Sequence, residues 1–109
     1  MAALNTAVMP LTGGAIEYAP AASGGDTCQT GAGVLLLVKN GDASSHTVTL
    51  ATPGTVNGLA IADRAIVVPA GDELGIPVTN DYRNPSTGRA AITYDGVTSV
   101  QVAVIRVPV

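Results

Sequence analysis

The sequence predicts a single all-β domain, an antiparallel β-sandwich (jelly-roll or immunoglobulin-like) with an extended N-terminal arm. Three observations carry that expectation. From residue 33 onward, short runs rich in Val, Ile, Leu and Thr alternate with turn dipeptides. No stretch holds apolar residues at helical spacing for the length that a globular helix needs. The core material is also small. Phe and Trp are absent, there are three tyrosines (Tyr18, Tyr82, Tyr94), and Val, Ala and Thr dominate. Such side chains suit a pleated, half-buried surface.

Residues 1–32 are expected to form the arm. Ala, Gly, Thr and Pro prevail there, and Gly13-Gly14 and Gly24-Gly25 act as breakers. Ala15–Tyr18 is a candidate strand stopped by Pro20. The arm carries too little apolar area to offset the entropy of ordering it alone. It must therefore lie either along the edge of its own domain or on a neighbouring subunit or partner.

The sandwich is expected over residues 33–109, with strands at 33–39, 45–52, 64–69, 73–78, 90–95 and 99–107. Val34–Val38 is too short for a helix and stops at the turn dipeptide Asn40-Gly41. In HTVTLAT, Val48 and Leu50 share one face and Thr47 and Thr49 the other, the two-residue period of a strand. Residues 53–63 contain Pro53-Gly54 and Asn57-Gly58 and read as a crossing loop or a short helical turn at 59–63. Pro69–Asp72 is a tight turn between two apolar runs. Residues 79–89 are polar, contain Pro85 and Gly88, and read as a long exposed loop. The final run is apolar on both faces, as in a central strand or one covered by another subunit.

Composition narrows the function classes. At 109 residues there is room for one domain. Small core side chains bury little area each, so a lone copy should be modestly stable and association should help. Charged residues make up 12%, about half the usual share. A surface so poor in charge either faces protein over part of its area, as in a homo-oligomer or an assembly component, or is coated by Thr, Ser, Asn and Gly. Lys39, Arg64, Arg83, Arg89 and Arg106 are scattered and the net charge is −3, which argues against direct nucleic-acid binding. No apolar run approaches the ~20 residues of a membrane span, and the N-terminus lacks the pattern of a secretory signal. Assembly in a cytoplasm, with no membrane partner, is the expectation.

Motifs that carry chemistry are sparse. Asp42, Ser44, Ser45 and His46 have the residue types of a hydrolytic triad but are adjacent at one turn, whereas a working triad places its base between groups from separate segments. Asp72-Glu73 are strand neighbours that point to opposite faces. Tyr94-Asp95-Gly96 reads as a turn. Gly31-Ala32-Gly33 precedes a strand, while a phosphate loop follows one and opens a helix. Asn40-Gly41-Asp42 lacks the acidic spacing of a calcium loop. Cys28 is a lone thiol, too little for a disulfide or, with one histidine, a metal cluster. The expectation is no enzyme, no catalytic residue, no cofactor and no metal. Recognition is expected in the 79–89 loop, through Asp81, Tyr82, Arg83 and Arg89, unless that loop is merely solvated. Arginine forks hold carboxylates and tyrosine anchors interfaces.

The string VKNGDASSHTVTLATPGTVNGLAIADRAIVVPAGDELGIPV, with the closing VAVIRVP, resembles the small β-rich head decoration (cement, or minor capsid) proteins of tailed bacteriophages. The resemblance covers roughly residues 33–108 and leaves the arm outside. It implies a structural virion protein on the capsid outer surface, often a trimer, that bridges neighbouring major capsid protein subunits and stabilises the particle. It transfers no binding residues. The alternatives are another phage structural part, such as a tail component or head-fibre base, and a small carbohydrate or cell-surface binding module. Sugar sites favour exposed aromatics, and Phe and Trp are absent. Copy number per particle separates a cement from a free binder.

Overall fold

The computed structural model describes residues 2–107. Met1, Pro108 and Val109, at the ends of the expected arm and sandwich, lie outside the described residues. The strands are β1 (Ala2–Ala3), β2 (Thr6–Val8), β3 (Ala19–Pro20), β4 (Asp26–Cys28), β5 (Val34–Asn40), β6 (His46–Leu50) and β7 (Thr55–Val56). They continue with β8 (Leu59–Ala60), β9 (Arg64–Val68), β10 (Glu73–Pro77), β11 (Arg83–Asn84), β12 (Arg89–Tyr94) and β13 (Val100–Arg106). A 3-10 turn spans Asn80–Tyr82.

The all-β sandwich expected from the sequence is the fold found. One sheet runs β1-β4-β12-β6-β9, with β11 also on β12. The other runs β10-β5-β13-β2, with β3 also on β13. Apart from β1 and β2, which run parallel to their partners, the pairings are antiparallel. The two-residue period decides which side chains meet between the sheets. In β5, Val34, Leu36, Val38 and Asn40 are buried and Lys39 is exposed. From the facing sheet come Val48 and Leu50 of β6 and Ala90 and Ile92 of β12. Burying each of these Val, Leu and Ile side chains contributes about 1.5–3 kcal/mol, so the core holds without any Phe or Trp.

The arm lies along its own domain. β1 pairs with β4 in one sheet and β2 with β13 in the other, so the chain crosses between sheets over residues 4–5 and closes that flank of the sandwich. The Arg89 guanidinium clamps the crossing. Its Nη2 donates to the Leu4 carbonyl (2.8 Å) and the Thr27 carbonyl (3.2 Å), and its Nε donates to Thr27 Oγ1 (3.1 Å). Tyr18 holds the next segment. Its hydroxyl donates to the Glu73 carboxylate, and Lys39 Nζ sits 5.5 Å from the ring centroid. Partial burial, then the Glu73 contact, push the Tyr18 hydroxyl up to about 12. The segment after the arm belongs to the sandwich itself: Asp26 and Cys28 of β4 are fully buried. The extended part therefore ends near residue 20 rather than 32. The second apolar face of β13 also has its cover within the chain. Ala103 and Ile105 are buried beside residues 15–19.

Candidate interaction surface

The 51–63 connection between β6 and β9 is neither a plain crossing loop nor a helical turn. It folds into a small ribbon, β7 against β8, turned at Asn57-Gly58. Both turn residues have positive φ (52° and 77°), as a two-residue hairpin of matching twist requires. Thr52 N–H donates to Asp63 Oδ1 at 2.8 Å and fastens the base. The ribbon pairs only with itself. Val56 is 60% exposed and Leu59 73%, and Ile61 just beyond is also exposed.

Facing the ribbon's base is the 79–88 segment. Thr79 Oγ1 donates to Asp81 Oδ2 (3.2 Å), and Thr30 Oγ1 to Asn80 Oδ1 (2.9 Å). The chain then pairs Arg83 and Asn84 with Ala90 and Arg89. Asn84 Oδ1 takes the Ser86 N–H (2.9 Å), so side chain and backbone together build the turn. Between the two segments lies a groove of about 740 Å³, walled by Pro53, Ile61, Arg64, Asp81, Tyr82 and Arg83. A second hollow of about 420 Å³ shares Arg64, Asp81 and Tyr82 and runs between β9 and β10, past Ile66 and Leu74. β9 and β10 are the outermost strands of their sheets, so this flank has no arm across it.

The four residues picked from the sequence divide here. Asp81 and Arg83 are exposed on the groove. Tyr82 is buried, 9% exposed, and anchors the 3-10 turn into the chain's own core rather than offering a ring to a partner. Arg89 is half-buried, and its Nε and Nη2 are committed to the arm clamp rather than to a partner. The sequence reading missed Asp63, Arg64 and the apolar ribbon. Asn57-Gly58 between Thr55-Val56 and Leu59-Ala60 is a hairpin signal that marks the ribbon.

The triad candidates also resolve. His46 Nε2 meets Asp42 Oδ2 at 2.8 Å and Nδ1 meets Asp95 Oδ1 at 3.0 Å. Carboxylates therefore occupy both ring nitrogens. The hydrogen bonds to Asp42 first, then Asp95, raise the imidazole above its ordinary value. His46 holds both carboxyls below theirs. Gly96 leaves room for the ring, since a Cβ there would stand 3.1 Å from it. The cluster pins two turns together. Cys28 is 0% exposed, and burial, ahead of its charged neighbours, pushes the thiol up to about 11. Among the described residues no group of three or more His, Cys, Asp or Glu side chains is placed to hold a metal ion. Nor is any helix long and apolar enough to cross a membrane. No family model, curated protein or solved structure matches this chain.

Proposed function

We propose that this protein is a structural attachment module, and specifically a decoration protein on the outer surface of a phage capsid, bridging major capsid protein subunits. The observation that supports this reading is the self-paired ribbon, with Val56 and Leu59 largely exposed beside a groove of balanced charge. Asp63 and Asp81 are offset there by Arg64 and Arg83. Covering Val56 and Leu59 on a partner contributes about 1–2 kcal/mol each, and the four charges give the contact a register. The rest of the affinity has to come from the remaining contact area and from any linkage between copies. The resemblance noted in the sequence supplies the capsid as the lattice.

The test is co-sedimentation with undecorated capsids from the same source. Wild-type protein is expected to saturate at a fixed multiple of the lattice repeat. Leu59→Ser is expected to weaken binding roughly tenfold, the equivalent of about 1.4 kcal/mol, with an unchanged melt. Absence of saturable binding by the folded wild type would overturn the capsid assignment. Undiminished binding by Leu59→Ser would remove the ribbon from it.

A further inference from the structure

The flank closed by the arm holds a second feature, independent of the attachment surface. β13 pairs with β3 through Gln101 and Val102, and with β2 from Val104 onward. Ala103 stands between the two arm strands. A cavity of about 490 Å³ lies at this parting, walled by Ala7, Ile16, Ala103 and Ile105. Thr6 and Asp26 line it too, as do the polar residues Asn5 and Tyr18. Asp26 is 0% exposed. Its Oδ2 accepts the Tyr94 hydroxyl (2.6 Å) and the Ala22 N–H (3.3 Å). Its Oδ1 is buried with no partner, and so is Thr6 Oγ1. Glu17 is the other charged residue on the cavity, and no Lys, Arg or His lines it.

We propose that this cavity binds a primary alkylammonium group, with Asp26 Oδ1 and Thr6 Oγ1 accepting its N–H donors. The aliphatic walls and the two partnerless oxygens together select that chemistry. A buried carboxylate without a countercharge is costly, and an ammonium supplies both charge and three donors. A water supplies donors but no charge. A guanidinium fork wants both carboxylate oxygens, and Tyr94 already holds Oδ2. A hard divalent ion wants six or more oxygens, where two stand unpaired. The aliphatic walls suit a short methylene stem that carries the ammonium inward. A lysine side chain of another protein and a free small amine both present this group.

The experiment is a thermal melt with amide NMR titration of the full chain against n-butylammonium chloride. Tetramethylammonium and sodium chlorides at equal ionic strength are the controls. The expected result is a saturable rise in Tm of a few degrees with n-butylammonium alone. Amide shifts should concentrate at Thr6, Asp26 and Ala103. Asp26→Asn should abolish the response. Should Asp26→Asn fail to fold, Thr6→Val, which keeps shape and loses the hydroxyl, should weaken it several-fold. A lysine-containing tripeptide against its Nε-acetylated form distinguishes the sources. Tighter binding of the free-lysine peptide than of butylammonium assigns a protein partner, and the reverse assigns a free amine. An equal response to tetramethylammonium, no response to any amine, or full retention in Thr6→Val and Asp26→Asn would overturn the proposal.

Discussion

Asn40 closes β5 with its side chain 1% exposed. Its Nδ2 donates to the Ser44 carbonyl (2.9 Å) and the Val68 carbonyl (3.1 Å), and its Oδ1 accepts the Asp42 N–H (3.0 Å). One amide thus joins the end of β5, the following turn and the end of β9. Asn40→Ala removes these three bonds and a longer one from Nδ2 to the Pro69 carbonyl (3.4 Å), and leaves buried backbone groups short of partners. At about 1 kcal/mol net per bond, the loss is about 3 kcal/mol before any cavity term. For a domain of this size that lowers Tm by roughly 10–15 °C.

Asn40→Asp is the sharper variant because it keeps the shape. One oxygen still accepts the Asp42 N–H. The other replaces an NH2 and faces two carbonyl oxygens. At neutral pH the variant should fall below Asn40→Ala by about 1 kcal/mol or more, since it adds repulsion and a buried charge. Its pH dependence follows. Burial and the carbonyls raise the folded-state pKa of the new acid above the unfolded value of about 3.9. The folded state then binds the proton more tightly, so stability rises as pH falls through that raised value. Urea unfolding of wild type, Asn40→Ala and Asn40→Asp at about pH 7 and about pH 4, followed by circular dichroism, reads both effects. Asn40→Asp matching Asn40→Ala at neutral pH, or Asn40→Ala within about 0.5 kcal/mol of wild type, would refute the reasoning.

Three further outcomes are expected. Arg89→Ala should cost about 2–4 kcal/mol and speed amide exchange at Leu4, whose N–H bonds the Thr27 carbonyl, while Arg83→Ala stays within about 0.5 kcal/mol. Equal melts for the two variants would dismiss the clamp. The NMR titration midpoint of His46 should lie above the ordinary value of about 6.5 and drop in Asp95→Asn. By linkage, its raised folded value stabilises fully below the unfolded value and fades as pH rises through the folded one. The depressed Asp42 and Asp95 contribute above their unfolded values and lose that contribution as pH falls through the folded ones. A His46 midpoint at or below the ordinary value would contradict the cluster. Cys28 should resist thiol reagents at about pH 8 until urea unfolds the domain, since it is buried and its thiol is pushed up to about 11. Labelling of the folded protein would expose an opening motion at β4.

Much of the fold was legible because alternation and turn dipeptides act locally. Val34–Asn40, His46–Leu50 and Val100–Arg106 lie within a residue or two of their expected bounds. What was hidden depends on tertiary partners. Ala2–Ala3 and Thr6–Val8 have no strand pattern of their own; they are strands because open sheet edges accept them. Asp26-Thr27-Cys28 falls within the expected arm, and becomes a sandwich strand because Ala90–Ile92 lies beside it. The site was half legible for the same reason. Arg83 and Arg89 look alike in sequence, and the acceptors on Leu4 and Thr27 alone turn one inward. Tyr82 stands in a polar stretch, and the core beside it, not its neighbours in sequence, buries it.

The same asymmetry bears on assembly. With the arm on its own domain, one flank ends in the short strands β1 and β2, and the longer outermost strands are β9 and β10. β10 is a poor template for another chain, because Pro77 lacks a donor and Gly75 offers no side chain to pack. β9 keeps an open edge with Val67 58% exposed. Two copies joined β9 to β9 would form an antiparallel, two-fold contact and stop at a dimer. A trimer needs a heterologous contact, a projection of one copy in a recess of the next. The ribbon with Val56 and Leu59 and the groove beneath it are such a pair. If they join copies to one another, Leu59→Ser lowers the oligomeric state before any capsid is added. If they face the capsid instead, the variant sediments as the wild type does and only attachment weakens. Sedimentation of that variant alone, ahead of the capsid assay, decides which surface the ribbon serves.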